Sequence, residues 1–141
     1  MLLDSLRNRI DATGPMPFER FMAACLYDPD HGFFATGPLR STKGGDFLTS
    51  PEVSPWFGRT IGRYVAATAP GGAVVEVGAG SVALLRTLFD ALDTPPSTAI
   101  AVEASPAARD ALHTLEGIDQ IVADLAEVAA PVSGTIVANE L

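Results

Sequence analysis

One cysteine, two histidines and one tryptophan in 141 residues exclude several common chemistries at the outset. Cys25 alone can form neither an internal disulfide nor a multi-cysteine metal site, and with Phe21, Met22 and Leu26 at helical spacing around it, it reads as a core filler. His31 and His113 are too far apart in pattern to make a metal pair, so no metal is expected. Long apolar runs are missing too. None approaches the roughly 18 residues that span a bilayer, and Met1 to Arg7 lacks the apolar stretch of a signal peptide. No membrane partner is expected, and a cytoplasmic location is favoured. Positive charge is scarce: nine Lys and Arg against seventeen Asp and Glu leave a net charge of −8. That balance argues against nucleic acid and suits a cationic ligand or a basic protein substrate.

What is present points to a folded α/β domain. Apolar residues make up 48% of the chain, enough for a real core. Asp4 to Asp11 reads as a short amphipathic helix with Leu6 and Ile10 on one side, broken at Gly14-Pro15-Met16-Pro17. A second helix runs from Phe18 to Leu26, and Phe33 to Thr36 reads as a short extended piece. Residues 37–51 form a polar, glycine-rich loop, in which Lys43 is a solvated charge; a loop this long is usually functional. Ser54 caps and Pro55 starts a helix to about Thr68, burying Phe57, Ile61, Tyr64 and Val65, with Trp56 packed beside it.

Beyond Pro70-Gly71-Gly72 the pattern changes. Ala73-Val74-Val75 is a buried strand, a helix reaches Leu92, and Thr98 to Val102 is a second strand. A helix opens at Ser105-Pro106, and Gln120 to Ala123 and Thr135 to Ala138 are strands three and four. This alternation implies a parallel sheet with helices on both faces. Two regions follow: 1–70, helical and glycine-rich, and 71–141, a Rossmann-like core. The fourth strand meets Asn139-Glu140-Leu141 and the sequence stops, so the core is expected to be truncated, with an open edge that can recruit a second copy or a partner chain.

The most informative stretch is Glu76-Val77-Gly78-Ala79-Gly80, with Glu103 at the end of the next strand. Strand, glycine turn, helix, strand, acid is the layout of a site for the adenosyl part of a cofactor. Gly78-Ala79-Gly80-Ser81-Val82-Ala83 also fits the dinucleotide pattern, so an NAD(P)- or FAD-binding domain is the rival reading. Glu76 weighs against it, because a carboxylate there repels a pyrophosphate and suits a ligand carrying an ammonium and a sulfonium. A third reading is a non-catalytic, degenerate relative that binds protein.

Four blocks decide among these by resemblance. They are residues 14–34 (Gly14-Pro15-Met16-Pro17-Phe18 through Tyr27-Asp28-Pro29-Asp30-His31-Gly32-Phe33-Phe34), residues 45–58 (Gly45-Asp46-Phe47-Leu48-Thr49-Ser50-Pro51-Glu52-Val53-Ser54-Pro55 with Phe57-Gly58), Val102-Glu103-Ala104-Ser105-Pro106, and Ala138-Asn139-Glu140-Leu141. Together they resemble the MidA-like S-adenosylmethionine-dependent methyltransferases, relatives of the mitochondrial complex I assembly arginine methyltransferase. The resemblance implies a class I methyltransferase sheet of order 3-2-1-4 with an N-terminal helical extension, S-adenosylmethionine as cofactor, and a protein arginine as acceptor. Family members are longer, so this chain matches their N-terminal portion. It departs at Val82, where a third glycine is usual and where the valine is expected to narrow the turn, and at Ser81, where a basic residue is common.

The resemblance and the spacing together assign roles. Gly78 and Gly80 present N–H groups to the methionine carboxylate, aided by the following helix start, or simply make the turn. Glu103 holds the ribose diol, and Asp124 either accepts the adenine amino group or starts a helix. Gly44, Gly45 and Asp46 close over the cofactor, with Thr49, Ser50 and Glu52 as the hinge. Asn139 and Glu140, at the end of the fourth strand, orient and polarise the acceptor guanidinium, or only begin a loop.

Overall fold

The computed structural model describes residues 1–42 and 44–140. The readings made for Lys43 and Leu141 lie outside the described residues. Helices α1 (Leu2–Thr13) and α2 (Phe18–Tyr27) precede a looped segment, the one-turn α3 (Ser50–Val53) and α4 (Pro55–Thr68). The rest alternates: β1 (Ala73–Val77), α5 (Ala83–Phe89), β2 (Ala99–Val102), α6 (Pro106–Leu112), β3 (Gln120–Val122), a 3₁₀ turn (Leu125–Glu127) and β4 (Gly134–Ala138).

The four strands are parallel and ordered β3-β2-β1-β4, as expected. Val75 pairs with Ile100 on one side and Ile136 on the other, so β1 is central. Three of its five residues are valine and its first four are buried, as a strand covered on both faces requires. Val74 packs with Val65, Leu85, Leu88 and Leu112, which come from α4, α5 and α6. Val75 faces the other way, with Ile100 and Val102, and is covered there by Val128 and Val132.

The expectation of helices on both faces therefore fails among the described residues. Both helical crossovers step in one direction along the sheet, and right-handedness puts α5 and α6 on one face. The return from β3 to β4 crosses the second face with only the 3₁₀ turn.

Residues before β1 depart further from expectation. Phe33 to Thr36 is a turn, not an extended piece, closed by Thr36 N–H donating to Gly32 carbonyl at 3.1 Å. Leu6 is buried but Ile10 is exposed, and Tyr64 is 66% exposed rather than core. Trp56 is exposed as well, with the Arg59 guanidinium 5.7 Å from its ring centroid. On α4 the buried positions are instead Gly58, Gly62 and Val65. A Cβ on Gly58 would lie 3.0 Å from the Leu84 carbonyl oxygen and overlap Thr87 Oγ1, and one on Gly62 would collide with the Leu88 carbonyl, so α4 and α5 touch backbone to backbone. Ser54 caps α4 by accepting from Trp56 N–H at 3.3 Å.

Candidate functional site

A cleft of about 490 Å³ opens at the carboxyl ends of the strands, where open α/β sheets bind ligands. Its floor is the turn from Glu76 to Ser81 and the end of β2 at Glu103. Asp124 and Leu125 flank one side, Asn139 and Glu140 another, and residues 26–52 supply the remaining wall.

Alternation along β1 sends Glu76 to the same face as Val74, toward α4 and α5, at the strand's last turn before the glycines. The side chain is 3% exposed, and its Oε2 has no hydrogen-bond partner. Burial, then the charges of Glu103 and Glu52, push its pKa well above the usual carboxylate range.

Glu52 is held in the opposite manner. Oε1 accepts from the hydroxyls of Ser41 at 2.9 Å and Ser81 at 2.5 Å. Oε2 accepts from the Thr49 N–H at 3.2 Å and from the Thr49 hydroxyl. Partial burial pulls its pKa up, but the bonds from Ser81, Thr49 and Ser41 outweigh it and leave the pKa lowered. Both oxygens are occupied, so Glu52 is a tie between residues 41, 49 and 81 rather than a free ligand group. Ser81 and Ser41 carry this tie and had no role in the sequence reading. One half of it was legible: Thr49-x-x-Glu52 is a capping-box spacing.

Glu103 spans the turn. Its Oε2 accepts from Gly80 N–H at 2.7 Å and its Oε1 from Ser105 N–H at 2.6 Å. Arg109 Nη1 braces the backbone behind it, donating to the carbonyls of Glu103 and Ala104, each at 2.7 Å. This corrects the role given to the glycine N–H groups, because Gly80 N–H goes to Glu103 and Gly78 N–H to the Val102 carbonyl at 2.9 Å. The two glycines serve the turn itself, with φ of 69° and 54°. The helix behind them starts only at Ala83 and has seven residues, so it adds little dipole.

Val82 is not an obstruction. Its φ of −69° and ψ of −4° are helical, and its side chain packs against the core away from the cleft. Asp124 lines the cleft, and it also caps the 3₁₀ turn, accepting from Ala126 N–H at 2.8 Å. Its reading as a helix start is met by this cap.

The loop departs from the expected closure. Gly44, Gly45, Asp46 and Ser50 are exposed and do not line the cleft. Asp46 instead accepts from Arg40 Nη1 at 3.0 Å. Arg40 also donates from Nε to Phe33 carbonyl at 2.9 Å and from Nη2 to Thr36 carbonyl at 3.0 Å, fastening the loop on itself. A Cβ on Gly45 would collide with the Arg40 carbonyl, which explains a glycine there without a ligand. What the loop does bring to the cleft is aromatic. Phe34 stacks on Tyr27 at 5.9 Å and meets Phe47 edge-on at 6.4 Å. That wall was missed because its three members are 7 and 13 residues apart, with no shared period.

Asn139 and Glu140 both line the cleft, and Glu140 adopts a positive φ of 55°, turning the chain sharply off β4. The three residues Asp28, Asp30 and His31 also cluster, but outside the cleft, where Asp28 Oδ1 accepts from the N–H groups of Asp30 and His31 at 3.1 Å each.

Comparison with known proteins bears on this cleft. A protein from Burkholderia thailandensis, described as a "likely methyl transferase" and crystallised with S-adenosyl-homocysteine, superposes with a TM-score of 0.81 at 30% identity, over 99% of this chain and 40% of that one. The chain is similar, over nearly its whole length, to part of that protein. A native structure of a COG1565 superfamily protein from Burkholderia thailandensis gives 0.73 at 29% identity over 97% of this chain and 37% of its own. Among curated proteins, the protein arginine methyltransferase NDUFAF7 homolog of Drosophila melanogaster is 33% identical over 98 residues, 64% of this chain and 22% of the fly protein. Human NDUFAF7 is 35% identical over 63 residues, 45% of this chain and 14% of that protein. The family resemblance of the four sequence blocks is thus supported independently. No protein-family model matches the chain. The chain spans 14–22% of the length of the curated relatives it matches. These relatives are named as mitochondrial, which overturns the cytoplasmic expectation; the absence of a signal peptide or apolar span never distinguished the two.

Proposed function

We propose that this chain supplies the cofactor-binding part of an S-adenosylmethionine-dependent methyltransferase whose acceptor is a protein arginine. The observation that carries the reading is the pairing, in one cleft, of an orphaned buried carboxylate at Glu76 with the turn-spanning Glu103. Those residues fit the group. Glu76 offers an ammonium an oxygen with no other partner, whereas it would oppose the pyrophosphate of a dinucleotide. Each oxygen of Glu103 holds one backbone donor and keeps lone-pair capacity for a ribose hydroxyl. The cleft volume suits a ligand of this size.

When bound, S-adenosylmethionine supplies a methyl group on a sulfonium. The chain's own residues then have separate tasks. Glu52 holds residues 41 and 49 against the turn, and Asp124 closes the far side toward the adenine edge. Asn139 and Glu140 orient the guanidinium, whose high pKa makes it a poor nucleophile unless it is positioned and polarised. Region 1–70 acts as the cover and region 71–141 as the binding core. The outer edge of β4 has no strand partner among the described residues, and Ile136 is 59% exposed; pairing of that edge with a second copy belongs to the same proposal.

Calorimetric titration with S-adenosylmethionine, S-adenosyl-homocysteine and NADH tests the reading. Both sulfur ligands bind and NADH does not; NADH binding in their place would establish the dinucleotide alternative. Radiolabelled methyl transfer to cell extract, followed by amino-acid analysis, checks the arginine assignment. Light scattering checks the shared sheet.

A further inference from the structure

Among the described residues Glu76 is the one carboxylate of the cleft that is fully buried, and its Oε2 has no hydrogen-bond partner. The elements that line the cleft around its end of β1 give it no cation, and α4, which its face of the strand also meets, contributes no cleft residue. The end of β2 brings Glu103, α3 brings Glu52, and the residues beyond β3 and β4 bring Asp124 and Glu140. The turn into α5 brings Ser81, whose hydroxyl is engaged with Glu52. The loop brings Arg40, but its guanidinium is occupied by Asp46 and the carbonyls of Phe33 and Thr36. Arg109 lies behind Glu103 on backbone carbonyls. A further, unpartnered carboxylate charge in this desolvated position among these acids is costly.

We propose that Glu76 is a carboxylic acid in the empty cleft and exchanges its proton for the primary ammonium of an aminoacyl ligand. The inference rests on the S-adenosyl reading above and adds to it a mechanism of recognition. As the ammonium enters, the Glu76 O–H gives its proton to solvent, and the carboxylate left behind makes an ion pair with the ligand. Net charge in the buried subsite is the same before and after: neutral acid becomes a neutral pair. The raised pKa of Glu76, set by burial and by Glu103 and Glu52, accords with this exchange. An adenosyl compound without the ammonium has nothing to exchange, so the subsite selects for the aminoacyl end and not only for the nucleoside.

The sign follows from linkage. Binding that releases a proton is favoured at high pH, so affinity falls about tenfold for each pH unit below the pKa of Glu76 and levels off above it. The test is calorimetry of S-adenosyl-homocysteine binding between pH 5 and 8, in buffers of different ionisation enthalpy, which counts protons released. On the acid side of the range close to one proton leaves per ligand bound. The Glu76→Gln variant releases none, and its affinity no longer changes with pH. As a check that needs no variant, 5′-methylthioadenosine, which lacks the aminoacyl group, binds the unaltered chain without proton release. Binding of S-adenosyl-homocysteine with no release across the range overturns the exchange while leaving the methyltransferase reading intact, as does equal release from Glu76→Gln. Failure of S-adenosyl-homocysteine to bind at all overturns both.

Discussion

Within the proposed cover, at residues 33–54, and within the proposed binding core, at residues 73–140, Glu52 and Glu76 line the same cleft and are treated in opposite ways. In the cover, Glu52 is surrounded by donors from Ser41, Thr49 and Ser81, and its pKa is lowered. In the core, Glu76 is buried among apolar strand residues with an unpartnered oxygen, and its pKa is raised. A fully bonded carboxylate serves as a fastener, since it has little left to offer a ligand. An unbonded one is costly to the empty protein and therefore available to whatever relieves it. Residue type does not separate the two; the supply of donors does.

The contrast can be broken first at the fastener. Glu52→Ala removes the acceptor for three hydroxyls and one N–H, and should destabilise the chain by about 3 kcal/mol, given about 1.5–3 kcal/mol for a hydrogen bond to a charged group. Urea unfolding measures this, and proteolysis should accelerate between residues 36 and 48; an unchanged cleavage rate would show that Arg40 alone secures the loop. Glu103→Ala should weaken S-adenosyl-homocysteine binding by one to two orders of magnitude, on the order of 1.5–3 kcal/mol. Unaltered affinity in calorimetry would remove Glu103 from the site.

The two glutamates also tilt stability in opposite directions with pH. Glu52, lowered, contributes stability that is present above its ordinary 4.5 and lost as pH falls through its folded value. Glu76, raised, favours the folded state most below 4.5, and that advantage is lost as pH rises through its folded value. Glu76→Gln should therefore melt at a higher temperature than the unaltered chain at pH 8 and show little difference at pH 4. A gap of equal size at both values would mean that Glu76 stays charged. The smallest effect is expected at Val82. Val82→Gly should cost about 1 kcal/mol in lost packing, with no gain in ligand affinity, because the valine packs into the core and not into the cleft. A tighter-binding Val82→Gly protein would restore the crowding argument.

The sheet was legible in the sequence because its signal is local: Ala73 to Val77 and Ala99 to Val102 are unbroken apolar or β-branched runs around one acid, and the strand order followed. Glu103 and Glu76 were legible as well, since each sits at a strand's end. The cover was not. Its polar, glycine-rich stretch drew attention to Gly44, Gly45 and Asp46, yet Gly45 and Asp46 fold the loop onto Arg40, a Cβ on Gly44 would meet nothing within 4 Å, and the cleft is faced by Ser41, Phe47 and Thr49. Which side of a loop looks inward depends on contacts such as Ser41 to Glu52, eleven residues apart, and Ser81 to Glu52, twenty-nine apart. No periodicity encodes those. Tyr64 failed for a related reason: glycines on α4 took the buried face that aromatic residues were expected to fill.

Those glycines, Gly58 and Gly62, also decide how force travels. With no side chains between them, α4 and α5 mesh like teeth, and sliding one along the other drives backbone into Thr87 and Leu88. Since α3 joins α4 through the single residue Ser54, a push on Glu52 is transmitted to α5, which begins two residues after Ser81, the other end of the same hydrogen bond. The cover is thus the short arm of a closed linkage anchored twice to the glycine turn, once by the Glu52 side chain and once by the helix pair. Displacing α3 therefore means breaking the Glu52 bonds or shifting the meshed helix pair.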